Sequence, residues 1–151
     1  MVAQSLASLH LHLIFGTKNR AAILTDWIRE ELHAYMATTL ASLDCHAMVI
    51  NSMDDHVHVL FDLGRTVAVS HVVEGLKKGT SKWIKTKGVA FAPVAWQAGY
   101  AAFAVSESNV RAVREYIANQ NEHHRTKTFQ EEYVLFLKRH GVAFDDRYLW
   151  D

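Results

Sequence analysis

Cysteine is almost missing from this chain. One thiol, Cys45, stands among 151 residues, so no internal disulfide can form. It sits in an apolar, strand-like run, which suits a small core residue better than a nucleophile. Proline is as scarce, at a single Pro93, and glycine stops at seven; nothing in the chain resembles a disordered linker. Neither charge sign is in excess, with 16 Lys plus Arg against 16 Asp plus Glu. That removes any global attraction to nucleic acid, and binding of that kind needs a local patch. No apolar run reaches the roughly 18 residues of a membrane span, and the opening Met1-Val2-Ala3-Gln4 has no charged leader. The expectation is one domain over 1–151, in a reducing cytoplasm, with no membrane partner. Half of its residues are apolar or aromatic, enough to bury a core. What the chain does have is histidine, ten of them.

Two of these lie in the stretch Asp54-Asp55-His56-Val57-His58-Val59-Leu60-Phe61-Asp62. His56, His58, Leu60 and Asp62 point one way and Val57, Val59, Phe61 and Leu63 the other, the alternation of a half-buried strand. Two imidazoles on one strand face are about 7 Å apart, since each residue advances roughly 3.3 Å. Such a pair can grip one metal ion and leave positions open for a third ligand and a substrate oxygen. Two solvent-facing histidines produce the same pattern.

The rest of the chain supplies a frame. Ser8 to Thr17 alternates as a first strand and carries His10 and His12. Thr25 reads as an N-cap for a helix over Trp27 to Leu43, with Trp27, Ile28, Leu32, Tyr35, Met36, Leu40 and Leu43 at helical spacing. Cys45 to Ser52 is a second strand, joined to the His56 strand by the short polar turn Met53-Asp54-Asp55. A second helix runs from about Val67 to Lys85. Tyr100 to Ser106 is a fourth strand, and a third helix follows to about His123 or His124. Thr128-Phe129-Gln130-Glu131 is a capping box for a last helix to His140, which Gly141 stops. The tail from Val142 to Asp151 is apolar enough to dock on the body or on a partner chain. Strand, helix, strand, strand, helix, strand is the split βαβ order. The predicted fold is therefore α+β, a ferredoxin-like antiparallel sheet with extra C-terminal helices. In that order the first and third strands are neighbours, and one sheet face shares His10, His12, His56 and His58.

Two further features carry chemistry. Lys77, Lys78, Lys82, Lys85 and Lys87 crowd one side of the second helix with no acid among them; this is either a solvated face or a phosphate-binding surface. On the third helix Tyr116 and Gln120 are four apart and share a face. A tyrosine hydroxyl is a poor nucleophile, with a pKa near 10. A phosphodiester held by a metal ion is a better target, and attack would leave a phosphotyrosine. Gln120 could offer a third ligand beside two histidine nitrogens.

Taken together these stretches resemble a known family, the small single-tyrosine HUH transposases of bacterial insertion sequences (the two-hundred/six-hundred-five group) and the related tyrosine transposases of repetitive extragenic palindromes. His56-Val57-His58 is the His, bulky apolar, His motif, and Tyr116 to Gln120 the Tyr-x-x-x-Gln of the catalytic helix. Further similar stretches run in order along the chain: His12 to Arg20, Leu76-Lys77-Lys78 with Trp83-Ile84, Trp96 to Tyr100, Phe103 to Ser106, Asn119 to Arg125, Thr128 to Glu132 and Arg147 to Asp151. Ala101 departs from the glycine expected there. The resemblance implies cleavage and rejoining of single-stranded DNA through a 5′-phosphotyrosine on Tyr116. It implies Mg²⁺ or Mn²⁺ held by His56, His58 and Gln120, and a homodimer with joined sheets in which one subunit's tyrosine helix often completes the other's site. It also implies a hairpin substrate, a palindromic element end or a repetitive extragenic palindrome. Hairpin contacts are expected on Lys77, Lys78, Lys82, Lys18, Arg20 and Arg125. His123 and His124, at the end of the tyrosine helix, read either as a solvated helix-end pair or as phosphate contacts. His10 and His12 are expected to pack or to touch substrate. Two other readings stay open from the residues alone: a non-catalytic single-stranded nucleic-acid-binding module, and a metallohydrolase in which Tyr116 is a bystander.

Overall fold

A computed structural model of the chain describes residues 3–124 and 126–151. Four strands, β1 (His10–Gly16), β2 (His46–Ser52), β3 (His56–Asp62) and β4 (Ala101–Val105), form one antiparallel sheet in the order β2-β3-β1-β4. The first and third strands are central neighbours, as the split βαβ order requires. Their register sets Leu13 opposite Val59 and Phe15 opposite Val57. These side chains, with Phe61, face one layer of helices, α1 (Asp26–Ser42) and α2 (Val69–Lys85). Ile28, Leu32, Met36 and Leu40 of α1 recur every four residues and are fully buried. They meet Val72, Val73, Leu76 and Ile84 of α2 in one core. Thr25 stands at the N-cap of α1 as expected, but its side chain makes no capping bond.

The histidine face of the sheet is covered rather than open. Helix α3 (Val110–Ala118) lies over β2 and β3 through Val110 and Ile117 against Leu60. Helix α5 (Phe129–Arg139) lies over β1 and β4 through Phe129, Tyr133 and Leu137 against Ile14, Ala101 and Phe103. Ala101, where glycine was expected, contributes to this cluster. The N-cap bond of the capping box forms: Thr128 Oγ1 accepts from the Glu131 backbone N–H at 3.2 Å, and the Thr128 hydroxyl lies 3.2 Å from the Glu131 carboxylate. Gly141, at φ +65°, ends α5 in the left-handed region. The tail docks on the body, with Phe144, Leu149 and Trp150 packed beside Phe129 and Tyr133, and the Gly99 N–H donating to the Asp151 carbonyl at 2.9 Å.

The long third helix predicted from the sequence is two pieces. It breaks at Asn119 and resumes as α4 (Gln120–His123). A side chain from the sheet accounts for part of the break: Asn51 Nδ2 on β2 donates to the Ile117 carbonyl at 2.8 Å. That carbonyl would otherwise serve the next helical turn, and the bond pins the end of α3 to the sheet.

The turn leading into α3 is held from the other side. His10 Nδ1 bonds the Asp62 carboxylate and His10 Nε2 that of Glu107, tying β1, β3 and the 107–109 turn together. The Glu107 hydrogen bond raises the His10 pKa, against the opposing effect of burial and with help from Asp62. The folded state therefore binds this proton more tightly than the unfolded chain does. The clamp is fully present below the unfolded imidazole value of about 6.5 and is lost as pH rises through the folded value. Glu107 is largely solvent-exposed, so the effect is small. Melting temperature measured from about pH 5 to 9 should fall by no more than about 2–4 °C from this source, and His10→Gln should remove that component. Identical pH profiles would exclude the clamp.

Candidate active site

The seam between α3 and α5 lies directly over the two motif histidines. His56 and His58 are 0 % exposed, their ring centroids 5.2 Å apart. Above them α5 sends down Glu132, and the segment after α4 sends in His124. Ligand-type atoms of His56, His58, His124 and Glu132 all lie within 4.8 Å of one another. Glu132 is the hub, and its two oxygens face different ways. Oε1 is 2.9 Å from His58 Nε2, 3.3 Å from His124 Nε2 and 3.4 Å from His56 Nε2. Oε2 accepts a hydrogen bond from the Tyr116 hydroxyl. The Tyr116 ring stands 6.0 Å from that of His58, edge to face. Tyrosine, histidines and carboxylate all come from one chain.

Each motif histidine is oriented by a partner on its far nitrogen. His56 Nδ1 is 2.6 Å from Asp55 Oδ1, and His58 Nδ1 is 2.8 Å from His12 Nε2. The Asp55 end is rigid, because its carbonyl accepts the Thr17 N–H and the Asp54 carbonyl accepts those of Ile23 and Leu24. Both rings thus turn Nε2 toward the same point. His56 Nε2 is buried and has no hydrogen-bond partner of acceptable geometry, though the Glu132 carboxylate is close. Gly16 makes this arrangement possible. It is the register partner of His56, and a Cβ there would come within 2.5 Å of the Phe129 ring. Without that atom, Phe129 stacks on His56 at 4.3 Å and 8°.

Burial and charge shape the titration of the cluster. Burial opposes charge on Glu132, but the surrounding imidazoles of His124, His56 and His58 outweigh it and hold the carboxyl ionised, well below its usual range. Burial pushes His56 down, and the Asp55 hydrogen bond with the nearby Glu132 carboxylate more than reverses this. His58 and His12 are lowered, both chiefly by burial. The Tyr116 phenol is pushed up, first by burial and then by Glu132. The result is a fixed anion ringed by imidazoles, a donor set of the nitrogen-and-oxygen kind that suits a divalent cation. The aligned Nε2 atoms and the partnerless one on His56 fit such an ion.

The other predicted residues fall in three places. Gln120 is buried, and its Oε1 is 3.0 Å from His124 Nε2, so it touches the cluster through that histidine. Arg20 lines a cleft of about 630 Å³ with Asp55, His124, Lys127 and Phe129, at the mouth of the site; Lys18 is exposed in the same turn. Lys77, Lys78 and Lys82 are on α2, across the sheet from the histidines, along a groove of about 570 Å³ with Lys85, Trp96 and Gln97. Lys78 pairs with Glu74 at 2.5 Å. Lys77 is half-buried, its ammonium donating to the carbonyls of Gln97, Ala98 and Gly99, and burial pulls its pKa down to about 8. Arg125 and the side chain of His123 lie outside the described residues.

Sequence reasoning passed over Glu132 and gave His12 and His124 other duties. The signal for Glu132 was present: it shares the stripe of Phe129, Tyr133, Phe136 and Leu137 on an amphipathic helix, and a carboxylate on a buried stripe needs a partner.

Comparison with known proteins agrees with this architecture. Among solved structures, a candidate transposase from Deinococcus radiodurans superposes with a TM-score of 0.62 at 22% identity, over 80% of this chain and 96% of that one. A REP-associated tyrosine transposase bound to a REP hairpin gives 0.59 at 14% identity, over 82% and 74%. At these identities the likeness establishes the shared fold. None of the curated proteins matches the sequence significantly. The family model described as "Transposase IS200 like" matches residues 5–120, from the residues before β1 through the tyrosine helix to Gln120. With that match covering most of its length, this chain belongs to the IS200-like transposase family.

Proposed function

We propose that the protein cuts and rejoins single-stranded DNA in transposition, with Tyr116 as the nucleophile. The observation that carries this reading is the single Glu132 carboxylate shared between the Tyr116 hydroxyl and the two motif histidines. Glu132 Oε2 receives the phenol proton as the oxygen attacks phosphorus. The new bond is Tyr116 Oη to the 5′ phosphate, and the bond broken is from phosphorus to the 3′ oxygen, which takes the proton from Glu132 and leaves as a free hydroxyl. Rejoining is the reverse: a 3′ hydroxyl attacks, Glu132 takes its proton and hands it to the departing phenolate, and no other energy source is needed. His56 and His58, with His124 and Glu132 Oε1, would hold Mg²⁺ or Mn²⁺, and Gln120 acts through its bond to His124. When bound, that ion neutralises charge on a non-bridging phosphate oxygen. Asp55 and His12 act as positioning residues that fix both rings.

The structural neighbour bound to a REP hairpin supports a hairpin-bearing strand as substrate. Lys82, Lys78, Lys18, Arg20 and Arg125 are the proposed phosphate contacts. Lys77 serves the groove as a latch, holding the 97–99 loop in place. Pairing of two copies through the sheet edges β2 and β4 completes the proposal. The test mixes the protein, Mn²⁺ and labelled single strands able to form hairpins, taken from the DNA that flanks its gene. A covalent adduct on a denaturing gel, mapped to Tyr116 by mass spectrometry, is expected. Binding with no adduct on any of these strands would favour a DNA-binding module instead.

A further inference from the structure

A second recess opens beside Tyr116, on the side away from the Arg20 cleft. It encloses about 330 Å³ and is lined by His12, Phe103, Ala112, Tyr116, Phe136 and Arg139, among others. This volume is near the lower bound of ligand pockets, enough for one planar heterocycle and too small for a duplex. Three of its rings lie nearly parallel. Phe103 and His140 are 4.3 Å apart at 17°, Phe103 and Phe136 5.7 Å at 22°, and Phe136 and His140 6.2 Å at 12°. Phe103 belongs to the α5 core, whereas His140 is exposed at the rim. Arg139 is exposed beside it and, among the described residues, has no carboxylate partner. No step of the strand-transfer chemistry uses Phe103, Phe136, Arg139 or His140.

We propose that this recess takes one unstacked nucleobase of the DNA strand, the base next to the phosphate attacked by Tyr116, with Arg139 on the neighbouring backbone phosphate. This rests on the strand-transfer reading for its position but not for its chemistry. Single-stranded sites combine aromatic faces with cations that follow the backbone, and the recess offers both within contact of the nucleophile. Every base has a π-face, so the aromatic rings give affinity. The fixed volume and the rim nitrogen of His140 give preference among bases. The pocket thereby selects which phosphate is presented: a strand lodged with its base here cannot slide past Tyr116.

The test uses the full chain without added metal and a short oligothymidylate carrying one central 2-aminopurine. A second strand has an abasic site in its place. Ala112 is exposed on α3 at the wall of the recess, so Ala112→Leu narrows the space without entering the core. The wild-type protein should quench the aminopurine. Ala112→Leu should weaken binding by about 5- to 150-fold, the range for one stacked base, and remove the quench. The abasic strand should bind the wild-type protein as weakly as the fluorescent strand binds Ala112→Leu. Arg139→Gln should keep the quench at saturation and reduce the salt slope by about one. Equal affinity for the abasic and base-bearing strands would overturn the proposal, as would full quenching in Ala112→Leu. So would an Ala112→Leu protein that bound the strand normally but lost self-association in sedimentation, because the recess would then be a contact between copies. Base binding here, with no covalent adduct on hairpin-bearing strands in Mn²⁺, would sink the transferase reading and leave the pocket standing; an adduct formed equally in Mn²⁺ by wild type and Ala112→Leu on hairpin strands abasic beside the cleaved phosphate would do the opposite.

Discussion

Tyr116→Phe is expected to abolish the covalent adduct on every strand that the unaltered protein modifies. Removing a nucleophile costs on the order of 10⁶ in rate, which places the variant below detection on a gel. The substitution deletes one oxygen and leaves the ring. Contacts of that ring with Phe136 and His58, centroids at 5.3 and 6.0 Å, persist. Stability changes for a separate reason: Glu132 Oε2 loses the hydroxyl that donates to it. Leaving one acceptor of a buried carboxylate short of a donor costs about 1–3 kcal/mol. For a chain of this length each kcal/mol lowers the melting temperature by about 2–4 °C. The variant should therefore fold, melt several degrees lower, bind hairpin DNA as before and form no adduct. Metal-dependent cleavage surviving in Tyr116→Phe would show that water, not tyrosine, is the nucleophile, and would turn the assignment into a metallohydrolase.

How much of this was legible beforehand follows from which forces act locally. The period-two pattern of β1 and β3 is dictated by the pleat, so the sheet, its central pair and its histidine face could be read directly. Thr128 and Gly141 announced the ends of α5 because capping is a matter of neighbouring residues. The tyrosine helix could be found but not its break at Asn119, since the bond from Asn51 to the Ile117 carbonyl spans 66 positions. The five-lysine face was visible as charge; that Lys77 holds three carbonyls of the 97–99 segment was not, because those acceptors lie on a loop with no pattern of its own. Glu132 was missed because a glutamate just after a capping box reads as helix solubility. Only the packing of α5 on the sheet turns it inward. The histidine-rich face is roofed by two helices, and that roof brings an anion to the imidazoles.

That anion sets the second large effect. Glu132→Gln keeps the volume and one oxygen but removes the charge that three imidazoles face. Both motif rings remain oriented by Asp55 and His12, so the site should keep its shape, which separates this variant from a collapsed one. Two losses are expected. Divalent-ion affinity, measured by isothermal titration with Mn²⁺, should fall by more than the 10- to 100-fold typical of deleting an outer-shell partner, because Oε1 is itself among the grouped ligand atoms. Adduct formation at saturating Mn²⁺ should fall by a further 10²- to 10⁴-fold, the usual contribution of a positioned base, because an amide at Oε2's position cannot take the phenol proton. Raising the metal concentration should repair the first loss and not the second. That split is the decisive measurement. If excess Mn²⁺ restored the full rate, Glu132 would be a ligand alone and the phenol proton would leave by another route. If the rate fell with Mn²⁺ affinity unchanged, the carboxylate would belong to the tyrosine alone and the ion to the three imidazoles.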